Sequence, residues 1–262
     1  MSAVLSIDDA ALESDGFEVV PGLVPSSDLD AFEAAIAVFC RDYLDRRGEV
    51  ADSDDPFVGI LQRDHEWRET LFPLLRNMWV VQRIASQVAA SLEVSGAFDR
   101  WGFQVPLVWP SFRADPPGET TYLLPMHQDY GSTRCHRALR LWIPFRDANS
   151  ESGTIDVVPG SHRLGPVEYD MSDPSHPQIP EEYWRQVGAT RIEVPAGTGV
   201  LMNPLVIHRS VVGRSGSMKY VLLLQLQDLT TIMDPSDDQD DLGRRFRELT
   251  VKRAAARRAT VG

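Results

Sequence analysis

The chain has 262 residues, of which 43% are hydrophobic and 24% are charged, and its formal net charge is −12. This composition is typical of a globular protein with a sizeable core, and it excludes a disordered chain, a collagen and a coiled coil. No run of uncharged apolar residues approaches the ~18 that a membrane-spanning helix needs, and the excess of acidic side chains argues against nucleic acid as a partner.

The cysteines and the first residues bear on the cellular compartment. Cys40 and Cys135 are too few for a disulfide framework or a thiolate zinc site. The chain starts with acidic residues where a signal peptide would be basic, and no long apolar stretch follows them. We therefore expect a cytoplasmic protein, either a monomer or a homodimer, that binds neither membrane nor nucleic acid.

The first hundred residues predict mainly helices. Residues 15–22 read as a short strand closed by a Pro-Gly turn, and Ser26, Ser27 and Asp28 then offer a helix N-cap. Apolar residues recur at helical spacing over residues 29–39 and again over 68–92. The second pattern predicts one long helix or two helices joined near Pro73.

From about residue 100, short apolar runs alternate with Pro and Gly clusters, which is the pattern of β-strands and tight turns. Helices followed by many short strands predict an α+β fold with a β-sandwich or barrel. A Pro-rich insertion at 167–188 carries a short helical pattern at 181–186, and the charged tail predicts one helix. The expected strands are residues 103–108, 139–145, 154–158, 191–194, 199–203 and 220–226.

Three side chains suggest a metal site. On an extended strand, residues i and i+2 face the same side, so His127 and Asp129 would present an imidazole beside a carboxylate. His208 follows the run 199–207, which we expect to be a strand. Two imidazoles and one carboxylate form the facial triad that leaves open positions on Fe(II). The alternative is that Asp129 caps a turn and His208 merely ends a strand.

The surroundings of these residues resemble one family. His-Gln-Asp stands at 127–129, Leu-Trp-Ile-Pro-Phe at 141–145, Val-Val-Pro-Gly-Ser-His at 157–162 and His-Arg-Ser at 208–210. In this order the motifs resemble the phytanoyl-CoA dioxygenase family, whose members are Fe(II)- and 2-oxoglutarate-dependent oxygenases on a double-stranded β-helix, also called a jelly roll or cupin-like fold. Residues 15–22 resemble the family's N-terminus, so the resemblance covers about residues 12–228.

The resemblance implies a domain layout and a set of cofactors. Residues 1–230 would form one oxygenase domain, with a helical part at 1–100 packed on a jelly-roll core at 101–230, followed by a charged tail at 231–262. His127, Asp129 and His208 would be the iron ligands, and 2-oxoglutarate and O2 the cosubstrates. Asp129 itself favours hydroxylation over halogenation, because related iron halogenases carry a small residue in its place.

The resemblance also implies the type of reaction. A C–H bond of a small molecule would be hydroxylated, desaturated or cyclised, with release of succinate and CO2. The substrate would be a secondary metabolite or an amino-acid or acyl-type intermediate. Two alternatives remain open: a metal-dependent cupin enzyme that uses no 2-oxoglutarate, and a catalytically silent binding domain on the same scaffold.

The expected cosubstrate site departs from the family at one position. The resemblance places Trp142 beside 2-oxoglutarate and gives Ser210 a hydrogen bond to its distal carboxylate. The family's arginine, eleven residues after the distal histidine, is replaced by Lys219, which holds a carboxylate as a point charge and not as a fork. Three interpretations are open. Either Lys219 holds the distal carboxylate of 2-oxoglutarate, or Arg214 reaches it from the loop, or the cosubstrate is not 2-oxoglutarate. We favour Lys219, because it opens its strand as the family's arginine does.

The substrate site is less clearly marked. Arg137 follows the His-x-Asp segment in a cationic cluster that either binds an anionic group or forms a solvated hairpin. Arg113 and Tyr130 are further candidates for binding the substrate. The N-terminal helices and the 167–188 insertion are expected to cover the mouth of the jelly roll as lids. The other members of the cationic cluster are Arg134, His136 and Arg140.

Overall fold

A computed structural model describes residues 5–50, 53–63, 67–120, 123–173 and 177–234, together with positions 236, 240, 244 and 248. Its α-helices are α1 (Asp9–Ser14), α2 (Ser26–Arg47), α3 (Pro56–Arg63), α4 (Trp67–Arg76), α5 (Trp79–Val94) and α6 (Ala97–Arg100). Its strands are β1 (Phe17–Val20), β2 (Pro106–Asp115), β3 (Ala138–Pro144), β4 (Ile155–Val157), β5 (Thr190–Ile192), β6 (Gly199–Met202), β7 (His208–Ser210) and β8 (Lys219–Asp228).

The strands form two antiparallel sheets. The larger sheet has the order β1-β6-β3-β8-β2, and the smaller has the order β5-β4-β7. Strand β8 pairs along its whole length with β2, from Lys219 opposite Asp115 to Asp228 opposite Pro106. Side chains alternate between the faces of a strand, so this register decides which residues share a face.

The outer face of the larger sheet is covered by the helices. Phe32 of α2 packs against Phe112, Phe145 and Tyr220, with ring centroids 4.9 to 5.4 Å apart. Buried residues of helices α2 to α6 join these rings in one core cluster on the face away from the smaller sheet, while the expectation that the helices cover the mouth of the jelly roll stays a prediction.

The inner face of the larger sheet turns toward the smaller sheet. Trp142, Val200 and Val221 share a buried cluster with Ile155 and Val157 of β4. Two sheets that pack face to face in this way form a sandwich, with its core between them. The metal-ligand candidates lie between the same two sheets.

A partly buried polar cluster ties the helical layer to the start of β8. Arg146 donates to both carboxylate oxygens of Glu33 on α2, at 2.6 and 2.8 Å, and to Asp55, at 2.5 Å. Asp55 also accepts the backbone N–H of Met218, at 3.1 Å. Because Met218 precedes Lys219, this network fixes the backbone from which the Lys219 side chain projects.

Several boundaries differ from the sequence expectations. The helix over 68–92 does divide in two, but Pro73 lies inside α4 and the break falls at residues 77–78. Helix α2 begins at Ser26 after Pro25, which makes no side-chain cap. The helical pattern at 181–186 becomes a short 3-10 turn, Glu181–Tyr183.

Two remaining findings concern the compartment and the tail. None of the described helices is both long and apolar enough to cross a membrane. Cys40 and Cys135 are buried and free, and burial raises the pKa of the Cys40 thiol to about 12. The helix expected in the charged tail lies mostly outside the described residues.

Candidate metal centre

His127 and His208 lie side by side because their backbones pair. The N–H of His127 donates to the carbonyl of His208 at 2.9 Å, and the N–H of His208 donates back at 3.0 Å. This reciprocal bridge brings the ring centroids to 4.1 Å. His208 begins the separate strand β7, so the expectation that it ends the 199–207 strand is wrong, since β6 stops at Met202.

Both imidazoles are fixed in the tautomer that a metal needs. His127 Nδ1 lies 2.8 Å from the carbonyl of Pro125, and His208 Nδ1 lies 3.0 Å from that of Val206. A carbonyl only accepts, so each Nδ1 carries the proton and donates it. Each Nε2 is then left with its lone pair, which is the arrangement of metal-binding histidines.

Asp129 completes the group. Its Oδ1 lies 3.6 Å from His127 Nε2, and its Oδ2 lies 3.8 Å from His208 Nε2. Two ligands bound at right angles and ~2.1 Å from a metal stand ~3 Å apart, so the three side chains would have to move closer together to bind one ion. Among the described residues this is the one group of three or more such ligand atoms, all within 4.8 Å of one another. The donor set fits Fe(II).

Asp129 reaches this position through a turn and not through a strand. The Gln128 backbone is extended, and Asp129 opens a 3-10 turn, Asp129–Ser132, whose first N–H donates to Pro204. Gln128 Nε2 donates to the carbonyls of Gly165 and Leu205, and its Oε1 accepts from Val167. The residue between the two ligands thus anchors the segment to the insertion.

The site is electrostatically arranged for a cation. Burial raises the pKa of Asp129, but the charge of Arg140 and the contacts with both histidines outweigh it and hold that pKa well below the usual range. Burial, together with the neighbouring His127, lowers the pKa of His208 to about 4. At neutral pH Asp129 is therefore ionised and His208 is neutral, as metal ligands have to be.

A pocket opens beside the three ligands and has an empty volume of about 450 Å³, counting the part that is open to solvent. The walls come from both sheets, so the cavity belongs to the interior of the sandwich. The larger sheet contributes Trp142, Met202, Val221 and Leu223, and the smaller sheet contributes Ile155 and Ser210.

One end of the pocket is lined by two cations and a carboxylate. Asp115 lies 3.3 Å from Lys219 Nζ, directly across the β2–β8 ladder, and 3.1 Å from Arg113 on its own strand. All three side chains line the pocket. Burial lowers the pKa of Lys219, the charge of Asp115 raises it, and that of Arg113 lowers it again. With both cations protonated, the trio carries one net positive charge.

The structure brings some of the predicted site residues together and leaves others apart. Trp142, Ser210, Lys219 and Arg113 line the pocket. The other three are not among its lining residues. Arg214 is exposed on its loop, Tyr130 is buried in the turn after Asp129, and Arg137 donates to Asp228 at 2.7 Å in a separate cavity.

Two residues of the site were missed in the sequence. Arg140, grouped above with the cationic cluster, is buried, and its Nε lies 3.6 Å from Asp129 Oδ2. Its Nη2 donates to Ser132 at 2.6 Å and to the carbonyl of Asp129 at 3.2 Å. The signal was available, because Arg140 precedes Trp142 by two residues and so shares its face. Asp115 follows Arg113 by two residues in the same way.

Comparisons with known proteins agree on a family and a fold. A family model described as phytanoyl-CoA dioxygenase (PhyH) matches residues 12–221. The L-proline trans-4-hydroxylase of Streptomyces griseoviridis is 28% identical over 131 residues, which are 40% of this chain and 48% of that protein. The chain thus aligns with about half the length of this curated relative.

Solved structures share the architecture at low identity. The non-heme alpha-ketoglutarate-dependent epimerase SnoN of nogalamycin biosynthesis has a TM-score of 0.55 at 15% identity, covering 84% of this chain and 79% of its own. EvdO2 from Micromonospora carbonacea var. aurantiaca, solved with 2-oxoglutarate, has a TM-score of 0.54 at 19% identity, covering 92% and 99%. The expected α+β fold, a double-stranded β-helix with helices packed on it, is confirmed.

Proposed function

The chain belongs to the phytanoyl-CoA dioxygenase family, and from this premise we propose that it is an Fe(II)- and 2-oxoglutarate-dependent oxygenase. It hydroxylates, desaturates or cyclises a C–H bond of a small molecule and releases succinate and CO2. The observation that carries the proposal is the pair of imidazoles, each held by a backbone carbonyl so that its Nε2 lone pair faces Asp129. Packing alone does not require two matched tautomers beside a half-buried carboxylate.

His127, Asp129 and His208 would hold the iron. Bound iron supplies the redox chemistry that couples decarboxylation of 2-oxoglutarate to oxidation of the substrate. We assign a positioning role to Arg140, because its guanidinium faces Asp129 Oδ2 and its Nη2 holds the turn at Ser132. Outer partners of this kind orient a ligand and raise metal affinity.

The trio of Arg113, Asp115 and Lys219 suits the distal carboxylate of 2-oxoglutarate. Its single excess positive charge matches the one negative charge of that group. Arg113 also offers the forked donor that the replacement of arginine by Lys219 removes. Ser210 would add a hydroxyl donor, and Trp142 would pack against the carbon chain. Arg214 is the weaker candidate, since it is exposed on its loop.

The deciding experiment is an anaerobic titration of the metal-free protein with Fe(II) and then with 2-oxoglutarate. Bidentate chelation to such an iron gives a weak visible charge-transfer band near ~500 nm. We expect the band in the wild type, a weaker band in Lys219→Ala and in Arg113→Ala, and an unchanged band in the control Arg214→Ala. Iron binding without the band would overturn the assignment of 2-oxoglutarate as cosubstrate. The absence of iron binding would overturn the proposal that the protein is an iron-dependent oxygenase.

Further proposals concern the domain, the cellular compartment, the class of substrate and the oligomeric state. We propose one oxygenase domain to residue 230, and the insertion at 167–188 as a cover for the active site. The free, buried Cys40 and Cys135 suit a cytoplasmic protein. We propose a small-molecule substrate, with the enzyme acting as a monomer or a homodimer. Equilibrium sedimentation of the full chain distinguishes these two states.

A further inference from the structure

An exposed apolar strip continues from the metal pocket along the inner face of β2. Arg113 lines the pocket, and strand alternation places Ser111, Trp109 and Leu107 on the same face at successive steps. The side chain of Trp109 is 53% exposed and that of Leu107 is 38% exposed. Adjoining apolar side chains that stay open to solvent beside a pocket indicate a binding surface more than scattered surface residues do.

Beyond Arg113, from Ser111 to Leu107, the strip carries no charged side chain on β2 or on the facing part of β8. Leu223, which lines the pocket, lies opposite Ser111, and Gln225 lies opposite Trp109. The Oε1 of Gln225 accepts from Gln227 Nε2 at 3.5 Å, and no other hydrogen bond to the Gln225 side chain is found among the described residues. Its amide nitrogen is thus available to donate to a neutral oxygen. Arg140 of β3 lies opposite Gln225 on the same face, but its guanidinium already faces Asp129, so a charged group there would lose hydration without gaining an ionic partner of its own.

The outer edge of β2, which pairs with no further strand among the described residues, does not suit another strand. Pro110 lies within β2 and lacks the N–H that a ladder needs, so this position has to face away from β8 and toward the free edge. Prolines on an edge strand prevent pairing with further chains. The apolar strip therefore fits a small molecule that lies on the face of the sheet better than a peptide that extends the sheet.

We propose that Trp109 determines substrate specificity and that the substrate is a neutral molecule with an apolar ring and a nearby carbonyl or hydroxyl oxygen. The inference rests on the proposed function. The ring packs on Trp109, the oxygen accepts from Gln225, and the carbon to be oxidised lies in the pocket. Ser111 and Trp109 are ~7 Å apart along the strand. A substrate ring that packs on Trp109 therefore lies about one ring width beyond the pocket. A small free amino acid is too short to span this distance, and it carries charge.

The test compares two probes that share one skeleton, free L-proline and N-acetyl-L-proline benzylamide. The full chain is labelled with 5-fluorotryptophan and loaded with Zn(II) and 2-oxoglutarate, so that no turnover occurs. The 19F resonance that disappears in Trp109→Phe identifies Trp109 among the six tryptophans. Trp79, which is 79% exposed on α5, serves as the control for nonspecific contact.

We expect the benzylamide to shift the Trp109 resonance and leave that of Trp79 unchanged. Its affinity should fall about tenfold in Trp109→Ala, as for the loss of one good aromatic contact, and stay unchanged in Trp79→Ala. Tighter binding of free L-proline, or benzylamide binding that ignores Trp109→Ala, would overturn the inference. So would a dimer that Trp109→Ala converts to a monomer, because the strip would then be a subunit interface.

The two proposals fail in different ways. If the metal-loaded protein does not bind 2-oxoglutarate in a parallel calorimetric titration, the proposed function fails. If 2-oxoglutarate binds normally and only the response of Trp109 is missing, the substrate assignment alone is wrong. Both Trp109 variants are expected to fold, since the side chain is half exposed and surface substitutions rarely cost much stability.

Discussion

The two faces of β8 divide stability from function within one strand. On the outer face, Tyr220, Leu222 and Leu224 are fully buried under the helices. On the inner face, Lys219 and Leu223 line the metal pocket. Adjacent residues of β8 thus contribute either to stability or to ligand binding, because side chains alternate between the two faces of a strand. The comparison predicts that a change on the outer face alters the free energy of unfolding, and a change on the inner face alters ligand binding.

The largest effect is expected from the outer face. Leu222→Ala removes a fully buried side chain that lies between Phe112 and Ile143 in neighbouring strands. The free energy of unfolding should fall by ~2–5 kcal/mol, while the folded fraction still binds one Fe(II) per chain. Urea denaturation measures the first and anaerobic titration the second. Leu229→Ala is the matched control, because Leu229 is exposed. Equal losses in both variants would contradict the division.

Removal of one iron ligand should weaken iron binding and leave the free energy of unfolding nearly unchanged. His208→Ala should weaken Fe(II) binding by more than the ~100-fold that the loss of an outer partner costs at most, while the protein stays folded. Anaerobic calorimetry gives the affinity, and circular dichroism reports the fold. The matched control is His136→Ala, whose side chain contacts Asp240 and not the pocket. Normal iron binding by His208→Ala would exclude the proposed centre.

Arg140 is a sharper test, because it is buried on the inner side without being a ligand. Arg140→Gln keeps much of the volume but removes the charge that faces Asp129 Oδ2. We expect Fe(II) affinity to fall by ~10–100-fold. Arg140→Lys should restore part of it, since a single charge can still approach the carboxylate. Loss of the fold without a change in metal affinity per folded molecule would make Arg140 a purely structural residue.

The smallest effect concerns pH. Burial lowers the pKa of Lys219, Asp115 raises it and Arg113 lowers it. A lysine holds a carboxylate only while it is protonated, so affinity for 2-oxoglutarate is complete below this lowered pKa and is lost as the pH rises through it. Arginine stays protonated, so Lys219→Arg should keep its affinity between about pH 7 and pH 10. Superimposable pH profiles for the two proteins would show that Lys219 does not hold the cosubstrate.

Local patterns in the sequence predicted much of the fold and the triad, but not the contacts set by register. His127 and Asp129 do meet, although through a backbone bridge and a turn instead of the expected strand. Asp115 pairs with Lys219 because β2 and β8 align at that position, and no local pattern encodes this alignment. The helical pattern around Phe32 likewise did not show that this ring packs on the outer face against Phe112, because packing partners depend on the whole topology.

The reciprocal bridge between His127 and His208 has a consequence for the order of folding. The two histidines come from distant parts of the jelly-roll segment, and their bridge stands outside the ladders of the two sheets. Contacts of this kind form late, because the long chain between them has to close first. The apoprotein should therefore fold without iron and capture it afterwards. Iron then stabilises the native state by mass action, and the stabilisation grows with the logarithm of its free concentration once that exceeds the dissociation constant.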